Sequence, residues 1–246
     1  TDKPLSVNNP NHITMEMDTI CNDGWDGIMD EGAMYDFSVY VRNIDCQKKK
    51  FNVALVNEHG IVLAEGDFTS EGQGWKQYKL SLNTDSKKRA KMVLADVQKC
   101  QLRIIGKKKG RVALDMISLF PHDTFKGHGL RKDLAETIAA LKPKFVRFPG
   151  GCMSHGEGID NIYHWNHTVG PWQDRKPDFN IWHYHQTRGL GFYEYFQFCE
   201  DIGAEPLPVL AAGVPCQNSG PNAEGYGGQQ GGIPMEEMPA YIDELC

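Results

Sequence analysis

The run Arg147-Phe148-Pro149-Gly150-Gly151-Cys152 brings a guanidinium, two glycines and a thiol together directly after a short apolar stretch. Arginine carries a rigid fork of donors that suits a carboxylate or a pair of hydroxyls. Glycine lacks a Cβ and tolerates positive φ, so Gly150 and Gly151 would let the backbone approach a ligand closely. Each feature also has an ordinary use: a salt bridge for Arg147, a plain turn at 149–151, a small buried thiol for Cys152. No Cys-His pattern of a thiol hydrolase surrounds Cys152, which disfavours a nucleophilic role.

Downstream, histidines are dense: His155, His164, His167, His183 and His185. A metal site needs a third ligand at suitable spacing, and His183 with His185 in a loop does not supply one; neither a metal nor another cofactor is expected. Trp182, within Asn180-Ile181-Trp182-His183-Tyr184-His185, sits where an aromatic face can stack on the apolar side of a sugar or pack the loop down. Trp165 and Trp172 are weaker candidates. Glu157 and Glu194 are the carboxylates that a search for acid–base pairs picks out, but Glu194 falls within helical text and suits a structural partner of a neighbouring strand or loop.

Two kinds of text must position these residues. Up to about residue 120 the pattern is that of strands, with period-two alternation in Met34–Arg42, Phe51–Val56 and Lys76–Leu82, and turns at Asn57-Glu58-His59-Gly60 and Glu71-Gly72-Gln73-Gly74. Arg103–Ile105 and Val112–Phe120 add strands, and the regular spacing predicts a β-sandwich or jelly roll. After Pro121, Leu130, Leu134, Ile138 and Leu141 define an amphipathic helix ending before Pro143. A strand at 144–148, a long loop, a helix from about Phe192 to Ile202 stopped by Gly203, and a strand at 207–213 follow. A third helix begins near Met235, with Met235, Met238, Tyr241, Ile242 and Leu245 as its stripe. Helix and strand alternate as in parallel crossovers. Two parallel strands cannot cover both their faces, so an interrupted barrel is expected.

Composition sets outer limits. Hydrophobic residues make up 40% and charged residues 24% of the 246 positions, which fits a chain able to bury a core. No apolar run approaches the roughly 18 residues of a membrane helix, so no membrane partner is expected. The net charge is −6, and the short basic runs at Lys48–Lys50, Lys87-Lys88 and Lys107–Lys109 fall where strands should turn; solvated hairpin tips, and no nucleic-acid partner, are expected. Seven cysteines without a CxxC pair argue against a zinc ribbon or a disulfide scaffold. The sequence opens on Thr1 without a charged and apolar leader, so localisation is not legible, a periplasmic or secreted setting being weakly favoured.

Arg147-Phe148-Pro149-Gly150-Gly151-Cys152 closely resembles the RFPGGC strand-to-loop motif of the glycoside hydrolase family 51 α-L-arabinofuranosidases. In the same order, Tyr163–Pro171 is similar to the family's Y-x-W-x-x-T-x-G-P stretch, Gly189–Tyr195 to GLGF-x-E-(F/Y), and Cys199–Pro206 to CEDLGAEP. Upstream, Asp115–Pro121 and Gly129–Leu134 match the segment that leads from the family's sandwich insertion into its barrel. Met153-Ser154-His155-Gly156 departs from the relatives, which more often carry aromatic or β-branched residues and an acid there.

The resemblance implies a jelly-roll, carbohydrate-binding-module-like β-sandwich over 1–125, followed by the truncated N-terminal portion of a (β/α)8 TIM barrel over 126–246. It implies a retaining glycoside hydrolase that releases terminal α-L-arabinofuranosyl residues from arabinose-containing plant oligo- or polysaccharides, with no catalytic metal. Its acid/base and nucleophilic glutamates lie on later strands in relatives, so no catalytic residue is assigned within 1–246 and this stretch alone is expected to be inactive. Arg147, Gly150, Gly151, Cys152 and Trp182 are the substrate-binding residues it implies, and a homo-oligomer is compatible. Two other classes compete: a non-catalytic carbohydrate-binding protein, against which the parallel-strand half argues, and another barrel glycosidase such as an endoglucanase, against which the paired motifs argue.

Overall fold

A computed structural model describes residues 2–16, 18–29, 32–45, 47–84, 97–107, 109–216 and 232–246. The chain divides into two compact units: Thr1–Leu5 with Pro10–Lys132, and Ser6–Asn9 with Asp133–Cys246.

The first unit is built on the strands β1 (Ile13–Met15), β2 (Thr19–Cys21), β3 (Trp25–Met29), β4 (Met34–Asn43), β5 (Lys49–Asn57), β6 (Val62–Ser70), β7 (Lys76–Asn83), β8 (Val97–Gly106) and β9 (Val112–Pro121), followed by a short 3-10 turn at Phe125–Gly127. They form two antiparallel sheets, one ordered β1-β9-β4-β7 and the other β2-β8-β5-β6 with β3 also on β8. Period-two text becomes period-two burial because successive side chains on a strand point to opposite faces: Tyr35, Phe37, Val39 and Val41 of β4 are buried. They meet Phe51, Val53, Leu55 and Ile104 of the other sheet in one core. Phe51 stacks on Phe68 at 4.7 Å. Each such side chain contributes about 1.5–3 kcal/mol through removal from water.

One basic run departs from the sequence expectation. Lys49 is not a solvated tip residue but opens β5 with 1% exposure. Its Nζ lies 2.8 Å from Asp45 Oδ1 and donates to the Lys109 carbonyl at 2.9 Å. The alternation that turns Phe51 inward turns Lys49 inward too, and the pairing compensates the buried charge. Lys107 does behave as a tip residue, paired with Asp67 at 2.9 Å. Lys87, Lys88 and Lys108 lie outside the described residues.

The second unit contains α1 (Lys132–Ala140), β10 (Phe145–Phe148), α2 (Gly151–His155), the short strands β11 (Asp178–Phe179) and β12 (His185–Gln186), α3 (Phe192–Ile202), β13 (Glu205–Pro208) and α4 (Met238–Leu245). Strands β10 and β13 pair in parallel, Arg147 opposite Leu207. The second strand starts earlier than its apolar run suggests and ends at Pro208. Its last ladder bond runs from the Val209 amide to the Phe148 carbonyl; the next would need the Gly150 amide, and at Gly150 the chain turns away at φ 124° into α2. The amides of Glu205 and Val209 face β10, donating to Lys144 and Phe148, so Pro206 and Pro208 face the opposite edge.

The helices follow their sequence signals with informative exceptions. Gly191 caps α3, and Gly203 closes it in the left-handed region at φ 69°. Of the expected stripe, Leu134 and Ile138 lie on α1 while Leu130 and Leu141 flank it; Leu134, Ile138 and Leu141 are exposed, and within the helix only Ala135 is buried. Helix α4 begins at Met238 rather than Met235, with Pro239 in its first turn, where a missing N–H costs nothing. Among the described residues no helix is long and apolar enough to cross a membrane.

Candidate substrate site at the end of β10

Phe148 anchors this end of the strand pair. It is 2% exposed, stacks on Tyr195 at 4.8 Å and meets Phe192 edge-on at 5.4 Å. That packing leaves Arg147, the preceding residue, on the opposite side and exposed. The chain then turns through Gly150, at φ 124°, into α2. A Cβ at Gly151 would stand 3.6 Å from Arg147 Nη2, so the guanidinium lies beside the start of the helix. Ser154 is fully buried and donates to the Val209 carbonyl at 3.0 Å, pinning α2 to the segment after β13. Arg147, Gly150, Gly151 and Cys152 therefore share one turn of chain at one strand end.

Cys152 is half-buried, and its thiol interacts with that of Cys216, which is buried. This contact, then burial, pushes the Cys152 thiol above its ordinary value.

Trp182 comes from a separate device, the β11–β12 hairpin, where it is 49% exposed. Asn180 is buried and shapes the tip: its Oδ1 accepts from the amides of Trp182 at 3.0 Å and Tyr184 at 3.2 Å. Asn161 joins the hairpin to the loop after α2, donating to the Phe179 carbonyl at 2.8 Å while its Oδ1 accepts from the Glu157 amide at 2.8 Å. Glu157 also faces His183 at 3.9 Å. Sequence inspection missed Asn161 and Asn180; their signal was the preference of Asn side chains for turn amides. Trp165 is structural: it packs in the core around Phe148 and its Nε1 donates to the Glu244 carbonyl at 2.8 Å.

Glu194 holds α3. Its Oε2 accepts from the Gly191 amide at 2.9 Å, the helix-start geometry of a capping box, and both carboxylate oxygens accept from Arg175. Burial alone would raise this carboxyl; the bonds from Arg175 and the Gly191 amide outweigh it and hold the group below its ordinary value. A carboxylate so occupied is ill-suited to exchanging protons with a substrate. Arg188 pairs with Asp178 and lies over the Tyr163 ring at 4.2 Å, fixing the hairpin base. No cluster of three His, Cys, Asp or Glu side chains suited to a metal ion occurs among the described residues.

Residues 137–246 match the model of the "Alpha-L-arabinofuranosidase 1 domain". Over 225 residues the sequence is 38% identical to an extracellular exo-α-L-arabinofuranosidase of Streptomyces chartreusis, covering 85% of this chain and 26% of that protein. It is 34% identical over 219 residues to α-L-arabinofuranosidase 1 of Arabidopsis thaliana, covering 83% and 31%. The chain thus spans about a quarter to a third of the length of these relatives. The fold matches the arabinose-bound GH51 α-L-arabinofuranosidase MgGH51 with a TM-score of 0.80 and 29% identity, over 100% of this chain and 39% of that one. In sequence and in fold, the chain is similar to the family 51 α-L-arabinofuranosidases.

Proposed function

We propose that the protein carrying this chain is a retaining glycoside hydrolase that releases terminal α-L-arabinofuranosyl residues from arabinose-containing plant oligo- or polysaccharides. Residues 1–125 would be a jelly-roll, carbohydrate-binding-module-like sandwich and 126–246 the early part of a (β/α)8 barrel. The observation that carries this proposal is the turn at the C-terminal end of β10, where Arg147 lies beside Gly151. Barrel enzymes build their sites at that end of their strands, and the matching GH51 structure is arabinose-bound.

In this proposal Arg147, Gly150, Gly151 and Cys152 form one wall of the sugar subsite, and Trp182 stacks over it. The guanidinium orients a carboxylate or sugar hydroxyls, the glycines admit the furanose, and the thiol lines the pocket. Retaining hydrolysis needs two carboxyl groups about 5–5.5 Å apart, one attacking the anomeric carbon and one donating and then removing a proton. We assign neither to residues 1–246; Glu194, bound at both oxygens, supports leaving it out. These residues alone are therefore expected to be inactive.

The test is the turnover of 4-nitrophenyl α-L-arabinofuranoside by the whole protein and by its Arg147→Lys variant. Loss of the planar fork should lower kcat/KM at least about tenfold, ~1.4 kcal/mol. Unchanged kcat/KM in a folded variant would remove Arg147 from the site, and no turnover by the intact wild type would remove the activity.

A further inference from the structure

We propose that Cys152 and Cys216 form an oxidisable dithiol, a modification site that a low-molecular-weight disulfide converts into an intramolecular Cys152–Cys216 disulfide. The two residues come from loops after different parallel strands, Cys152 after β10 and Cys216 after β13. A short relay of backbone bonds brings them together: the Gly156 amide donates to the Cys152 carbonyl at 2.9 Å, and the Cys216 amide donates to the Gly156 carbonyl at 3.3 Å. His155 Nδ1 lies 2.7 Å from the Val214 carbonyl, and Ser154 reaches the Val209 carbonyl at 3.0 Å. Both segments are thus braced on either side of the two thiols, which interact with each other.

The asymmetry of burial sets the order of events. Cys152 is half-buried and reachable from solvent, whereas Cys216 is 1% exposed. The Cys152 thiolate attacks one sulfur of the small disulfide RSSR, giving a mixed disulfide and releasing one RS⁻. Cys216 then loses its proton and attacks Cys152 Sγ, expelling the second RS⁻. In sum two protein thiols are oxidised, RSSR is reduced to two RSH, and the protein loses two hydrogens. Because the thiolate is the nucleophile and the Cys152 thiol is pushed up, reaction quickens as pH rises toward that raised value.

The test uses the whole protein, reduced, freed of reductant and treated with excess oxidised glutathione at mildly alkaline pH. Non-reducing digestion and tandem mass spectrometry then locate the products, with the exposed Cys21 as the internal control for reaction. Expected are a glutathionyl group on Cys21, a Cys152–Cys216 cross-link lacking two hydrogens, and its reversal by dithiothreitol. In Cys216→Ser, Cys152 should instead retain glutathione. A wild-type protein that keeps glutathione on Cys152, links it to another cysteine, or leaves both thiols free while Cys21 has reacted overturns the proposal. The readout is a linkage and not a rate, so it stands or falls separately from the assignment of the sugar site.

Discussion

Arg175 grips Glu194 with both ends of its guanidinium, Nη1 lying 2.9 Å from Oε2 and Nη2 2.8 Å from Oε1. The two side chains are 3% and 12% exposed, so this is a buried, bidentate pair that also caps α3. Removing one partner strands the other's charge away from water. Glu194→Ala should therefore cost about 3–5 kcal/mol of stability, read by urea or thermal unfolding. Glu194→Gln, which keeps hydrogen-bonding oxygen and size, should cost less.

The same pair gives stability a defined pH dependence. The Glu194 carboxyl sits below its ordinary value when folded, so protonation favours the unfolded chain. Its contribution is complete above the usual glutamate value, about 4.3, and is lost as pH falls through the depressed folded value. The unfolding midpoint should drop over that acidic interval, and the drop should shrink in Glu194→Gln. Equal acid sensitivity of wild type and variant would mean that other carboxylates account for it.

Gly191 is needed for space rather than for its dihedral freedom, since its φ of −126° is open to any residue. A methyl there would overlap the Thr168 carbonyl oxygen, while Thr168 Oγ1 accepts from the Phe192 amide at 3.0 Å. Gly191→Ala should destabilise by about 1–3 kcal/mol through forced backbone movement. The neighbouring Leu190, 48% exposed, supplies the contrast: Leu190→Ala should leave the unfolding midpoint nearly unchanged.

Local pattern made much of this architecture legible. Alternation along Met34–Arg42 marked a half-buried strand, and Gly203 marked the end of α3, because both signals act within a few residues. What depended on a distant partner was not legible. Alternation marks Lys49 for the inner face but cannot reveal that Asp45 and the Lys109 carbonyl neutralise it there. An apolar run from Leu207 to Gly213 looks like a strand, yet its ladder stops where β10 gives way to the turn at Gly150. The stripe on α1 identifies a face without saying what covers it. In the site, RFPGGC drew attention to Arg147, whereas Asn161 and Asn180, which hold the Trp182 hairpin, carry no motif and emerge only from their bonds to backbone groups.

Among the described residues β13 pairs only with β10, and its prolines make its other edge chemically one-sided. Pro206 and Pro208 turn their nitrogens to that edge without a hydrogen to give, while their carbonyl oxygens remain available. A strand arriving there finds acceptors and no donors at these two positions, so it must bring the amides itself. Such an edge selects its neighbour by register and direction: a strand whose own carbonyls would have to be met at those positions leaves them orphaned. It is also a poor template for indiscriminate pairing between copies, since half of the ladder is missing before any second chain approaches.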